Sequence, residues 1–166
     1  MEIRRLREGD GARLRDVRLR ALQDAPYAFS SWFGREADRD PEFWESRVAP
    51  SGQGESGVVF AAVEDERCLG MAGVYFAGED SEAATLWGMW VVPSARRRGL
   101  AQELLEAVAA WARDSGARRL QLAVTDCESS RPAAALYRER GFVETGEREQ
   151  LESDPSLVAV VMSRSL

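Results

Sequence analysis

Between Met89 and Leu105 the chain changes from an apolar, strand-like run through a proline and three consecutive arginines into an amphipathic helical pattern. This pattern closes at Ser115-Gly116, and a second apolar run follows at residues 120–124. A strand, a crossover helix and another strand predict two parallel neighbours joined by a right-handed connection. Because ligands of such units bind beyond the carboxyl ends of the strands, we expect a site at the turn between residues 94 and 99.

The turn itself has the features of an anion site. The first turn of a helix carries unpaired N–H groups and the positive end of the helix dipole. Gly99 allows the backbone to approach a ligand closely, and Arg96, Arg97 and Arg98 carry guanidinium groups that suit phosphate oxygens. The motif alone leaves two readings open, a phosphate-binding turn and a solvated basic helix start.

Overall charge sets this turn apart from the rest of the chain. The 166 residues have a net charge of −6 and a sequence pI near 4.9. An acidic chain is not expected to bind nucleic acid or an anionic membrane, both of which favour basic surfaces. With 45% hydrophobic residues, the length predicts one domain, residues 1–166, with a sizeable core.

The absence of three residue types restricts the catalytic groups and metal ligands that the chain can provide. The sequence contains no histidine, lysine or asparagine, which excludes catalytic units and metal sites that depend on imidazole, and no metal is expected. A general base must therefore be a carboxylate, a thiolate, a tyrosine or water. Cys68 and Cys127 are too few and too distant for a disulfide framework, and no apolar run is long enough to span a membrane. We therefore expect a soluble, cytoplasmic protein.

The remaining patterns predict a meander before the turn and a helix and a strand after it. A helix is expected after Asp10 as N-cap, and a second helix begins at Asp40-Pro41-Glu42, where a cap, a first-turn proline and an acid coincide. A further helix is expected to begin at Ser129-Ser130. The predicted strands occupy residues 3–7, 58–63, 68–76, 84–92, 120–124 and 157–162, with loops at residues 51–57 and 78–80.

Two motifs together resemble the GNAT superfamily of N-acetyltransferases. Arg96-x-x-Gly99-x-Ala101, preceded by Val-Val-Pro, is similar to its acyl-CoA-binding motif, Arg/Gln-x-x-Gly-x-Gly/Ala. About 40 residues later, Leu136-Tyr137-x-x-x-Gly141-Phe142 is similar to the signature that closes the family's core. The motifs occur in the family's order, and the resemblance covers essentially the whole chain.

The resemblance implies an α/β fold with a twisted, mostly antiparallel mixed sheet. This sheet has about six or seven strands, is flanked by about four helices, and is splayed between strands 4 and 5, where acetyl-CoA binds. Strand 4 would bind the pantetheine arm and the arginine turn the pyrophosphate. The residues so assigned to acetyl-CoA are Trp90, Val91, Val92, Arg96, Arg97, Arg98, Gly99, Leu100, Ala101, Gln102 and Ser130.

Tyr137 matches the family tyrosine that protonates the departing thiolate. A phenol of pKa about 10 is close to a thiol in acidity, so this proton transfer is nearly thermoneutral. Ser130 stands where many relatives have an asparagine that bonds the cofactor arm. Its hydroxyl could cap the helix or donate to the cofactor, and the sequence leaves both open.

The general base is not identified by the resemblance, because strand 4 lacks the glutamate that relatives often place there. An amine of pKa about 10.4 needs a route for its proton at neutral pH. Water is one route, and the acids expected near the cleft are others: Glu79, Asp80, Glu82, Asp126 and Glu128.

The function implied is an acetyl-CoA-dependent N-acetyltransferase that acylates a primary amine of a small molecule or protein directly. A non-catalytic acyl-CoA-binding sensor is the alternative, since an asparagine and a glutamate of the family are missing. The acidic composition favours a cationic amine as acceptor. The aromatic residues between positions 27 and 33 form either core or a wall of the acceptor pocket. Homodimers are common among relatives, so a homodimer is one expected state.

Overall fold

The computed structural model describes residues 1–49, 56–77 and 82–166. Glu79, Asp80 and most of the loop expected at residues 51–57 lie outside these ranges. The described residues form seven strands and five α-helices. In chain order these are β1 Glu2–Arg5, α1 Gly11–Asp24, α2 Phe33–Ala37, α3 Pro41–Val48, β2 Gly57–Glu64, β3 Arg67–Phe76, β4 Ala83–Val91, α4 Leu100–Asp114, β5 Arg119–Thr125, α5 Arg131–Glu139, β6 Val143–Gln150 and β7 Val158–Ser165.

All seven strands belong to one sheet with the order β1-β2-β3-β4-β5-β7-β6. Every neighbouring pair is antiparallel except β4 and β5, which are parallel as the crossover pattern predicts. The expected fold is therefore confirmed, including its mixed sheet.

The splay between β4 and β5 is visible in their register. Pairing runs only from Ala83 with Arg119 to Thr85 with Gln121, although both strands continue. The Gln121 amide donates a 3.2 Å hydrogen bond to the Thr85 hydroxyl at the end of the paired part. Beyond this point the facing edges of the two strands are separate, and their backbone groups are open to a ligand.

Helix α4 covers strands β2, β3 and β4, and α1 packs against α3 and β3. The apolar face predicted for α4 is confirmed, because its buried side chains recur at helical spacing. They are Leu100, Leu104, Leu105, Val108, Ala109 and Ala112. No helix among the described residues has the length and apolarity needed to cross a membrane.

Local differences from the expected elements have simple causes. Helix α2 was not predicted, because it has only five residues and buries none of its side chains. Asp10 occupies the N-cap position of α1, but its side chain accepts a 3.0 Å hydrogen bond from the preceding Arg7 N–H and does not cap the helix. Asp40 caps α3 as predicted, since its side chain accepts from the Phe43 N–H at 2.9 Å.

Candidate active site

The arginine turn, residues 96–99, connects β4 to α4 and presents free backbone donors. Gly99 has φ of +83°, in the left-handed region that glycine adopts without strain, and precedes the first helical residue, Leu100. From Arg97 to Gln102, the backbone N–H groups donate no hydrogen bond to any described residue. Six consecutive amides at the positive end of a helix form a ready anion site.

The guanidinium group of Arg96 is bound to a carboxylate and a backbone carbonyl of the protein. Arg96 donates to the Val91 carbonyl at 3.0 Å and pairs with Asp24 at 2.5 Å. The Asp24 carboxylate also accepts the indole N–H of Trp90 at 2.8 Å. These bonds fasten the turn to the end of α1 and fix its backbone.

The other two arginines of the turn differ in their surroundings. Arg98 pairs with Glu64 at 2.9 Å, and its guanidinium lowers the pKa of that carboxyl. Arg97 has φ of +62° and forms no ion pair within the described part of the chain. Of the three predicted phosphate ligands, Arg97 is therefore the one whose side chain has no carboxylate partner there.

Trp90, Val91 and Val92 lie at the end of β4 next to the splay, and all three are buried. On the β3 side Trp90 and Val91 pair with Met71 and Gly70, and the Val92 N–H bonds the Leu69 carbonyl at 2.8 Å. The other edge of the strand has no pairing with β5 at this level.

Tyr137 and Ser130 lie in and before α5. Tyr137 is 5% exposed, its ring packs against Phe142 with centroids 5.7 Å apart, and burial raises the pKa of its phenol. The hydroxyl bonds no described residue. Ser130 is buried and does not cap α5, and its hydroxyl accepts from the Cys127 thiol at 3.4 Å. Of its two expected roles, the helix cap is therefore excluded.

A cavity of about 720 Å³ lies beside the open end of the splay. Its wall combines the diverging parts of β4 and β5 with α1 to α3, β6 and β7. The residues that line it include Arg18, Phe29, Arg35, Glu36, Arg39, Phe43, Arg47, Thr85, Trp87, Gly88, Gln121, Glu149 and Glu152. Of the aromatic residues at positions 27–33, Phe29 is both buried and part of this wall, whereas Trp32 and Phe33 are exposed.

A buried ion pair forms one wall of the cavity. Arg18, 6% exposed, donates to both carboxylate oxygens of Glu36 at 2.9 and 3.1 Å. Its guanidinium carbon lies 4.7 Å from the Phe29 ring centroid and 5.5 Å from that of Trp87. Nη1 of Arg18 is buried and has no hydrogen-bond partner among the described residues.

The sequence analysis did not predict this ion pair, although the position of Arg18 in the sequence indicates a buried arginine. Arg18 lies four residues after Leu14 and four before Leu22, both buried, and so falls within the apolar stripe of α1. An arginine in such a stripe requires a buried partner. The partner, Glu36, is on the unpredicted helix α2 and could not be chosen from the sequence.

Of the acids proposed from the sequence as bases, the three that the structure describes do not line the cavity. Glu82, Asp126 and Glu128 are absent from its wall, and Asp126 pairs with Arg148 at 2.8 Å. Within the described ranges, three other carboxylates line it: Glu36, Glu149 and Glu152. Glu152 pairs with Arg35 at 2.7 Å, whereas Glu149 has no ion pair within the described residues.

Comparisons with known proteins agree with this geometry. A sequence profile described as the Acetyltransferase (GNAT) family matches residues 18–142. No curated protein sequence matches significantly.

Several solved structures share the fold over nearly the full length. An acetyltransferase of the GNAT family from Streptococcus pneumoniae has a TM-score of 0.77 and 22% identity over 99% of both chains. A ribosomal-protein-alanine N-acetyltransferase from Brucella melitensis has a TM-score of 0.76 and 21% identity over 100% of both chains. An aminoglycoside 6′-N-acetyltransferase complexed with coenzyme A has a TM-score of 0.74 and 14% identity over 99% of this chain and 97% of that one.

Proposed function

The chain belongs to the acetyltransferase (GNAT) family, and from this premise we propose that it transfers an acetyl group from acetyl-CoA directly to a primary amine. The observation that carries the proposal is the splay between β4 and β5, which adjoins free amides on one side and a cavity on the other. A thioester donor and an amine acceptor can approach each other only through such an opening.

The pyrophosphate of CoA fits the backbone from Arg97 to Gln102. Phosphate oxygens are acceptors that need several donors, and these amides have no partner among the described residues. Gly99 has no side chain to obstruct them. Arg97 supplies the mobile cation, while Arg96 and Arg98 hold the turn through Asp24 and Glu64.

The pantetheine arm fits the free edge of β4. Its amides can pair with backbone groups near Trp90, Val91 and Val92 as an added strand would, because β5 has diverged there. Ser130 lies on the other side of the crossover, in the segment that follows β5, and we assign its hydroxyl a contact with the arm in place of the family asparagine.

Acetyl-CoA supplies an activated acetyl thioester. The acceptor nitrogen forms the new C–N bond, the C–S bond breaks, and the departing thiolate takes the phenolic proton of Tyr137. Burial raises the pKa of that phenol, which keeps it protonated but takes it above the acidity of a thiol, so the proton transfer is less favourable than the near-thermoneutral one expected from the sequence. Glu149 receives the amine proton through water, because it is the cavity carboxylate without an ion pair among the described residues.

Gly99→Glu tests the cofactor site. A carboxylate placed in the amide turn repels phosphate, so we expect CoA binding measured by calorimetry to weaken at least about 100-fold, corresponding to about 3 kcal/mol. Gly146→Glu is the matched control: Gly146 has φ of +93°, and a Cβ there meets no atom within 4 Å. Gly146→Glu adds the same negative charge, and a similar strain from the positive φ, at a site away from the turn.

Unchanged CoA affinity in Gly99→Glu would contradict the assignment of the turn. The same preparations, assayed for thiol release from acetyl-CoA with a panel of amines, separate the two functions considered for the sequence. Amine-dependent thiol release identifies a transferase. CoA binding without thiol release for any amine identifies an acyl-CoA sensor.

A further inference from the structure

Among the residues that the structure describes, those lining the cavity carry more positive than negative charges, in a chain that is acidic overall. Its lining guanidinium groups are those of Arg18, Arg35, Arg39 and Arg47, and its lining carboxylates are those of Glu36, Glu149 and Glu152. Arg18 takes both oxygens of Glu36, and Arg35 takes Glu152. The lining charges without an ion pair among the described residues are therefore those of Arg39, Arg47 and Glu149.

Arg39 and Arg47 are the two cations without an ion pair in the part of the chain that the structure describes. Both lie over the Phe43 ring, with guanidinium carbons 4.8 and 4.9 Å from its centroid. Arg47 also lies 5.3 Å from the Trp87 ring centroid on β4. Both guanidinium groups thus pack on Phe43 of α3, and that of Arg47 also packs on the strand that borders the splay.

The electrostatics of Arg47 reflect this crowding. Loss of water lowers the pKa of Arg47, the charge of Glu36 opposes the shift, and the charges of Arg18 and Arg39 add to it. Glu36 is already committed to Arg18 through both of its oxygens. Arg39 and Arg47 consequently have no dedicated counter-charge in the part of the chain that the structure describes.

Stacking on aromatic rings leaves the edges of a guanidinium group available. The ring covers the flat face, while the N–H fork at the edge can still bind a carboxylate with two parallel hydrogen bonds. Because the rings restrict the orientation of the side chains, less conformational entropy is lost when a ligand binds. This arrangement suits a small, planar anion.

We propose that the acceptor is a small amino carboxylate whose carboxylate is bound by Arg39 and Arg47. This inference rests on the proposed transferase function and names the substrate class for it. Glu149 attracts the ammonium end from β6, and the cavity of about 720 Å³ has room for an amino acid beside the arriving thioester.

The same charges disfavour a polyamine. A second ammonium group in the cavity would be repelled by the guanidinium groups of Arg39 and Arg47, which form no ion pair among the described residues, although water screens part of this repulsion because both side chains are exposed. The acidic composition of the chain favours a cationic acceptor, whereas the charges of the described cavity residues favour an acceptor that also carries a carboxylate. The two expectations differ because net charge is summed over the whole surface and the cavity samples only a few residues.

The test compares matched substrates that differ in one charge. Each of the twenty common amino acids and its α-carboxamide is assayed with acetyl-CoA for thiol release, in the wild type and in Arg47→Gln and Arg39→Gln. In the wild type we expect kcat/KM for the best amino acid to exceed that for its carboxamide at least about tenfold, about 1.4 kcal/mol. In either variant we expect this ratio to fall towards one, mainly through KM for the carboxylate.

Arg113→Gln is the control, since Arg113 lies in the last turn of α4 and outside the cavity. It should keep the wild-type ratio, and CoA affinity should be equal in all four proteins. Acetylation of amines with no preference for the carboxylate member of any pair would overturn the inference and leave the proposed function intact. Failure to release thiol with every amine, carboxylate or not, would overturn both.

Discussion

A single residue, Arg18, affects which charged groups of the cavity are available to a ligand. It lies in the apolar stripe of α1, is nearly inaccessible to water, and holds Glu36 with two hydrogen bonds. Breaking such a buried pair leaves an uncompensated charge. By occupying Glu36, Arg18 also leaves Arg39 and Arg47 available for a ligand. Thus one buried side chain determines the charge balance of the whole cavity.

Tyr137 is the residue for which the sequence makes the sharpest chemical prediction. If its phenol protonates the leaving thiolate, Tyr137→Phe should lower kcat about 100-fold or more, while CoA affinity stays unchanged. Because burial raises the pKa of the phenol, the wild-type rate should show no loss from tyrosine ionisation between about pH 6 and 9. Steady-state rates across that pH range, with CoA calorimetry, measure both quantities.

Tyr27→Phe provides the comparison for that experiment. The backbone carbonyl of Tyr27 accepts a 2.8 Å hydrogen bond from the Thr125 hydroxyl. Because the phenol of Tyr27 is not part of this contact, its removal should leave kcat unchanged. Equal rates for Tyr137→Phe and the wild type at every pH would refute the role of Tyr137 as acid.

At the scale of secondary structure, β3 and β4 shape the acceptor wall together. Trp87 on β4 lies across Gly73 on β3, so closely that a Cβ at position 73 would overlap the indole ring. The absence of a side chain at Gly73 thus allows Trp87 to lie where it faces Arg18 and Arg47. A glycine within a strand marks a close approach of this kind.

Gly73→Ala should therefore move or strain Trp87. We expect a loss of about 1–3 kcal/mol in the free energy of unfolding, measured by urea denaturation, and a raised KM for the acceptor with unchanged CoA affinity. Gly34→Ala is the same chemical change at an exposed site in α2, where the nearest atom to a new Cβ is 3.7 Å away. That variant should be as stable as the wild type or up to about 1 kcal/mol more stable. Similar effects of the two substitutions would argue against a specific role for Gly73.

For the whole molecule, the splay divides one continuous sheet into two parts, whose strand pairing within the described residues is confined to residues 83–85 and 119–121. A ligand bound between β4 and β5 contacts both parts and cannot bind the unfolded chain. Its binding energy therefore adds to the stability of the fold.

Acetyl-CoA at about 100 times its Kd should add about 2.7 kcal/mol of stability, which corresponds to a rise of about 5–10 °C in Tm for a chain of this size. Differential scanning calorimetry measures the shift. Gly146→Glu should show the same rise and Gly99→Glu almost none. A Tm that does not respond to acetyl-CoA in the wild type would contradict ligand binding in the splay.

Much of the fold was predictable because it is encoded in local patterns. The apolar period of α4, the cap and proline at Asp40-Pro41, and the strand-turn-helix order around Gly99 each depend on neighbouring residues. The family motifs point to residues 97–102 for the same reason, since the cofactor site that we propose consists of backbone amides of one continuous segment.

The acceptor side was decided only by tertiary structure. Its wall brings together residues from α1 to α3 with β4 and β6, and its charge depends on which arginine pairs with which acid. Arg18 with Glu36 and Arg35 with Glu152 are contacts between segments distant in sequence, and no periodicity encodes them. The sequence by itself therefore determined the family fold and the turn that we propose binds phosphate, because both depend on patterns that are local in the chain. The sign and shape of the acceptor cavity depended on long-range pairing, because electrostatic and packing energies are set by distances in space.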